Sequence, residues 1–122
     1  MSEESQLPPQ VQEQLARYQQ LQQTLQVVST QKQQLEIELS ETDKALTELE
    51  KAGNEVPVYK SVGSILVKVD RSGLIAELKE KKELLNTRVT TLGNQEQKTL
   101  ARVKEAEEKL RERLGATGPR AA

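Results

Sequence analysis

The residues able to do covalent chemistry are few in kind. The chain contains no histidine and no cysteine, so the usual nucleophile–base pairs and metal clusters lack their common members. No glycine-rich phosphate loop occurs either. The 19 acidic and 18 basic side chains nearly cancel. They are spread along polar helical faces, where carboxylates keep ordinary pKa values. An enzyme is not expected, nor a bound cofactor or metal. What remains is the chemistry of association. Leucines recur at helical spacing over most of the chain, and the block "VYKSVGSILVKVD" at 58–70 turns β-branched around Gly63.

The composition limits what can hold these residues. Phe and Trp are absent and Tyr occurs twice, while charged residues make up 30% against 34% hydrophobic. A compact core of 122 residues normally draws much of its burial from aromatics, so an elongated form is expected. Near-neutral charge argues against a polyanion as main partner. The lack of cysteine fits a reducing compartment. No apolar run approaches the roughly 18 residues of a membrane span, and "MSEESQLPPQ" has neither the basic nor the apolar part of a secretory signal. A cytoplasmic protein, without membrane or nucleic-acid partner, is the expectation.

Two helices must carry most of the chain. From Leu21 the apolar positions step through Leu25, Val28, Lys32, Leu35, Leu39, Thr42, Leu46 and Leu49, the alternation of four and three that makes a heptad seam. Val11, Leu15 and Tyr18 extend it upstream with a stammer before Leu21. Pro8 and Pro9 suit a first helical turn, and Gly53, Asn54 and Pro57 form a stop signal. The first helix is therefore expected over 9–52. Asp70 or Ser72 caps a second one over 72–114, whose seam reads Ile75, Leu78, Lys82, Leu85, Val89, Leu92, Glu96, Thr99, Val103, Ala106 and Leu110. Residues 115–122 are expected to form a flexible tail. Gly93 costs about 1 kcal/mol against alanine inside a helix and predicts a soft point or slight bend. Lys32, Lys82 and Glu96 at seam positions are read as setting the register between the helices. At about 1.5 Å per residue each helix spans on the order of 60 Å. Two such helices of equal length, joined by a connector of about 20 residues, predict a mainly α, single-domain chain: a long antiparallel coiled-coil hairpin.

The connector carries the second expectation. Strands at 58–62 and 64–69, joined by a tight turn near Gly63, form a β-hairpin over 58–69. Ile65, Val67 and Val69 share one face. An isolated two-stranded hairpin is marginal in water and has two open edges. Both helices run away from it and leave it uncovered. Hairpins from several subunits are thus expected to pair into an intersubunit barrel through Val58, Tyr59, Val62, Ile65, Leu66, Val67 and Val69.

With these blocks assembled, residues 8 to 105 resemble the beta subunits of prefoldin, the archaeal type above all. The resemblance is carried by the glutamine-rich first helix with "QKQQLE", then by "KALTELEKA", "VYKSVGSILVKV", "AELKEKKELLNTRV" and "QEQK". Heptads alone resemble one another. The strand block in register between two of them is far more specific. The resemblance implies a hexamer of two alpha and four beta subunits with the hairpins in a double β-barrel platform. It further implies ATP-independent capture of unfolded polypeptides at the coil tips and delivery to a group II chaperonin. Gly93, where relatives tend to carry a charge, and Pro57 directly before the first strand depart from the pattern without removing a motif.

The residues agree on where capture would occur. Near the open end of the coil the seam loses neighbours on one side. Leu7, Val11, Leu15 and Tyr18 on the first helix, with Val103, Leu110 and Leu114 on the second, are the candidate client-binding residues. Taken singly, each of these is better read as coiled-coil core; taken together, the capture reading gains. The eleven glutamines from Gln10 to Gln34 are read as a solvated helix face. Two other functions compete: a structural tether whose helices serve as spacers, and a nucleic-acid-binding arm. The second lacks the concentrated basic stripe and aromatics it would need.

Overall fold

The fold was analysed in a computed structural model of the chain, which describes residues 7–117. Helix α1 (Pro9–Lys51) is followed by strands β1 (Val58–Val62) and β2 (Ile65–Val69) and by helix α2 (Arg71–Thr117). The described chain groups into two compact units: a terminal unit of residues 7–31 with 92–117, and a hairpin unit of residues 32–91. In both, segments of α1 and α2 lie side by side and antiparallel. Gln10 meets Arg113 and Ser29 meets Glu96 in the terminal unit. Glu38 meets Lys81 and Leu49 meets Arg71 in the hairpin unit. The mainly α coiled-coil hairpin with a two-stranded ribbon in its connector is thus the observed fold.

The helix ends are closed by different devices. At the start of α1 the Pro8 carbonyl accepts the amides of Val11 and Gln12, each at 3.0 Å, so the two prolines, which have no N–H, leave fewer orphan donors. At the end of α1 no left-handed glycine is used, since Gly63 alone of the described residues has positive φ. Arg71 closes it instead. Its Nε and Nη2 donate to the Leu49 carbonyl at 3.0 and 2.6 Å, and its Nη1 to Asn54 Oδ1 at 3.1 Å. The first residue of α2 therefore satisfies a last-turn carbonyl of α1, a contact that the stop signal at Gly53 does not disclose.

Asp70 caps α2. Its Oδ2 accepts the Ser72 hydroxyl at 2.7 Å and the Gly73 amide at 3.0 Å, the side-chain bond that an N-cap supplies to an otherwise unpaired amide. The Ser72 bond first, then the Gly73 bond, holds the carboxyl below its ordinary range. Because the folded-state pKa is lowered, the cap's contribution is complete at neutral pH and is lost as pH falls through that lowered value. Asp70→Ala is expected to lower the melting temperature at pH 7. Asp70→Asn should keep part of the cap while removing this share of the acid sensitivity. Thermal melts at pH 7 and pH 3 check both, and an unchanged pH dependence in the asparagine variant would count against the cap's titration.

The seams differ from expectation in one place. In the terminal unit α1 buries Val11 and Val28 and half-buries Gln14, Leu15, Tyr18, Leu21 and Leu25. Gln14 packs beside the expected Leu15, with its carboxamide oxygen shut from solvent. A search for apolar residues passes over a glutamine, yet this one is half-buried like the leucine next to it. On α2 the seam follows the expected positions, with Leu85 in the hairpin unit and Val103, Ala106 and Leu110 in the terminal unit all buried. Thr42 and Thr99 are buried too. Each returns its hydroxyl to its own helix, donating to the carbonyls of Glu38 and Gln95 at 2.8 Å, so neither is left unsatisfied. The helix runs through Gly93 without a break and continues to Thr117. Of the tail expected over 115–122, residues 115–117 are its last turn and 118–122 lie outside the described residues.

Two of the charged seam residues have partners that only the opposite helix could supply. Lys82 Nζ sits 2.7 Å from Asp43 Oδ1, and the Ser29 hydroxyl donates to Glu96 Oε2 at 2.7 Å. Each pair fixes the register of the two helices within its own unit. Asp43, by its hydrogen bond and then its charge, raises the Lys82 pKa. That contribution is present below the ordinary lysine value and lost only as pH rises through the raised one. Polar groups at such positions select register at some cost in stability. Glu96→Leu is therefore expected to raise the melting temperature while broadening the exchange of amides near residues 28–29 and 96. A fall in melting temperature would show that the Ser29–Glu96 bond stabilises as well as selects.

Candidate functional site

The β-hairpin is short and its residues are well placed for pairing. The ladder runs Val58 opposite Val69, Tyr59 opposite Lys68, Lys60 opposite Val67, Ser61 opposite Leu66 and Val62 opposite Ile65. Gly63 and Ser64 form the two-residue turn. Gly63 has φ of 59°, and Ser64 is not left-handed, the pattern of a type II′ turn, whose twist suits a hairpin. Opposed residues share a face. Val58, Val69, Lys60, Val67, Val62 and Ile65 thus form one face, and Tyr59, Lys68, Ser61 and Leu66 the other.

The ribbon is not wholly uncovered by its own helices. Val58 is buried and Val69 half-buried. A groove of about 370 Å³ joins the base of the hairpin to α1 and α2, with Val58, Tyr59, Leu49, Ala52, Leu74 and Leu78 among its lining. Lys60 reaches Glu77 on α2 at 2.6 Å. The expectation that both helices leave the strands alone is corrected here: the connector brings the strand ends back over the helix ends. Beyond that base the surface is open. Tyr59 is 54% exposed, Val62 50%, Ile65 60%, Leu66 71% and Val67 40%. Five of the seven residues expected to join subunits therefore present apolar surface on both faces, beside strand edges that have no further partner among the described residues. Scattered exposed leucines are ordinary, but a contiguous apolar patch marks an interaction surface.

The candidate client-binding residues divide. Val11 is 2% exposed, the most deeply covered large side chain among the described residues, and Val103 and Leu110 are also buried. The end of the seam is packed rather than frayed. Near its end Arg113 bonds Gln10 across the coil. Leu7, Leu15 and Tyr18 are half-buried, and the Tyr18 hydroxyl accepts Gln22 Nε2 at 2.9 Å. Leu114 is 43% exposed because α2 turns Arg113, not Leu114, to the next seam position. Apolar surface at this end therefore lies on Leu7, Leu15, Tyr18 and Leu114. The glutamine-rich face is largely solvated, as composition suggests, with Gln14 the exception.

Among the described residues no group of acidic residues could hold a metal ion, and no helix is long and apolar enough to cross a membrane.

Comparison with known proteins bears on this arrangement. The family model described as prefoldin subunit matches residues 12–117. The prefoldin subunit beta of Archaeoglobus fulgidus is 51% identical over 108 residues, covering 88% of this chain and 93% of that protein. That of Methanothrix thermoacetophila is 43% identical over 114 residues, covering 93% and 95%. The crystal structure of the prefoldin beta subunit from Thermococcus strain KS-1 superposes with a TM-score of 0.78 at 41% identity, covering 93% of this chain and 96% of that one. The beta2 subunit from the same strain, at 20% identity and a TM-score of 0.67, shares the fold. Two antiparallel helices with a β-ribbon between them, matched over nearly their whole length at such identity, place this chain in the prefoldin subunit family.

Proposed function

We propose that the chain is a beta-type subunit of an ATP-independent chaperone. In this reading it assembles with an alpha-type partner as a hexamer of two alpha and four beta subunits. It then captures unfolded polypeptides at the helix ends and hands them to a group II chaperonin in the cytoplasm. The observation that carries the reading is the apolar hairpin. Ile65, Leu66 and their neighbours would not remain in water on a ribbon with open edges if other strands could cover them. Pairing with sister hairpins satisfies the edges and buries both faces at once.

Assembly also gives the weak surface at the helix ends a use. At about 25 cal/mol per Å², a few hundred Å² of contact would contribute several kcal/mol for one pair of helices before the entropy of ordering is subtracted. One contact is weak. Several on one long client gain from effective concentration, and no nucleotide is needed.

The test is a light-scattering assay with a chemically denatured client diluted into buffer without ATP. The assembled protein is expected to suppress aggregation at near-stoichiometric amounts. Undiminished aggregation with the assembly intact would leave the structural tether as the better reading.

A further inference from the structure

The flank of the coil in the terminal unit carries a charge arrangement that the proposed function does not absorb. In the hairpin unit the residues that flank the seam on one side are Glu38 and Lys81, an ion pair at 3.1 Å. Three heptads back along α1 and three forward along α2, the same two positions are Arg17 and Arg102. The opposite charges have become like charges. Both arginines line one groove of about 150 Å³, together with Gln14, Glu105, Ala106 and Lys109.

Nothing in the groove neutralises the arginines. Its one carboxylate, Glu105, is engaged by Lys109 at 3.2 Å. Neither Arg17 nor Arg102 has a hydrogen-bond or ion-pair partner among the described residues. Glu13 stands one turn from Arg17 without closing an ion pair. The floor is the buried Ala106. On the wall, the carboxamide oxygen of Gln14 is shut from solvent and accepts no hydrogen bond. Like charges facing each other across a coil are unfavourable, and an unsatisfied buried acceptor adds its own desolvation cost.

We propose that this groove is a binding site for carboxylate-bearing segments of unfolded polypeptides, with Arg17 and Arg102 as the two arms of the clamp. The proposal rests on the client-holding reading and adds a preference to it. A carboxylate accepts from two guanidiniums in charge-assisted bonds. The methylenes of a glutamate side chain suit the alanine floor. A polynucleotide is the poorer fit, because the basic surface is short, holds a carboxylate and has no aromatic for base stacking.

The test uses the oligomer assembled with its partner subunit and two labelled, unstructured peptides of equal length and leucine content. One carries glutamate at two positions where the other carries glutamine. Fluorescence anisotropy at low salt is expected to show about threefold to tenfold tighter binding of the glutamate peptide, the range open to partly exposed charge pairs. The double variant Arg17→Gln with Arg102→Gln should hold the glutamine peptide as the wild type does and lose the preference. Arg17→Glu restores the opposite-charge pattern of Glu38 and Lys81, so it should raise the melting temperature and also abolish the preference. A preference that survives the double variant, equal binding of both peptides by the wild type, or a lower melting temperature for Arg17→Glu would overturn the proposal. Oligothymidylate binding that the double variant loses, with the peptides not distinguished, would overturn it in favour of a polyanion site. Failure of the assembled wild type to bind either peptide would sink the client-holding reading itself.

Discussion

With Ile65 and Val67 both replaced by aspartate, the large assembly is expected to be lost, leaving chains that sediment singly. The two residues lie on one face of β2, 60% and 40% exposed, where no described part of the chain covers them. Covering an aliphatic side chain of this size stabilises by about 1.5–3 kcal/mol. A carboxylate in its place must be desolvated against apolar neighbours, at a further cost of several kcal/mol. Every beta-type hairpin in the oligomer would carry both defects, so the effects multiply across the interface. The helices should be untouched, because neither side chain packs in the seam, and the helical circular dichroism should persist. Val27→Asp is the control: Val27 is 55% exposed on α1, outside the hairpin, and its replacement should leave the sedimentation profile as it was. An unchanged profile for the double variant would remove the hairpin from the assembly interface.

A large loss of client holding is expected when Leu7, Leu15 and Leu114 are changed together to serine. All three offer apolar surface at the helix ends, and none is fully buried. At about 25 cal/mol per Å², their removal would take about 2 kcal/mol from each contact. That is roughly thirtyfold in the affinity of one pair of helices and more when several act on one client. Cutting the chain back to about residue 12 and from 110 onward is a blunter experiment. It would also delete Val11 and Leu110, which are buried in the seam, so a lowered melting temperature should accompany any lost holding. The serine variant separates the two effects. It should assemble and melt nearly as the wild type while suppressing aggregation poorly. If its suppression equals that of the wild type, clients are held elsewhere, such as the inner faces of the helices.

These expectations draw on different depths of information. The two helices, the strand pair and the turn at Gly63 were legible in the amino-acid order, because each depends on a period or on one residue's backbone freedom. Leucines every three and four residues leave a helix a single apolar stripe, and alternating β-branched residues leave a strand two distinct faces. The same local logic gave Asp70 as a candidate cap, and the charged seam residues Lys82 and Glu96 as register markers.

What the sequence could not disclose is who stands opposite. Asp43 beside Lys82, Ser29 beside Glu96 and Arg71 on the Leu49 carbonyl all join residues distant along the chain, and a heptad period is indifferent to which heptad it faces. The half-burial of Gln14 was hidden for a related reason. A polar residue announces no stripe, and its place is decided by the helix packed against it. Tertiary structure likewise buried Val58 and Val11, one expected at an open interface and the other at an open tip, and set Arg17 across from Arg102. Periodicity determines which side of an element is apolar, whereas only the register between elements determines which charges meet and which apolar side chains remain uncovered.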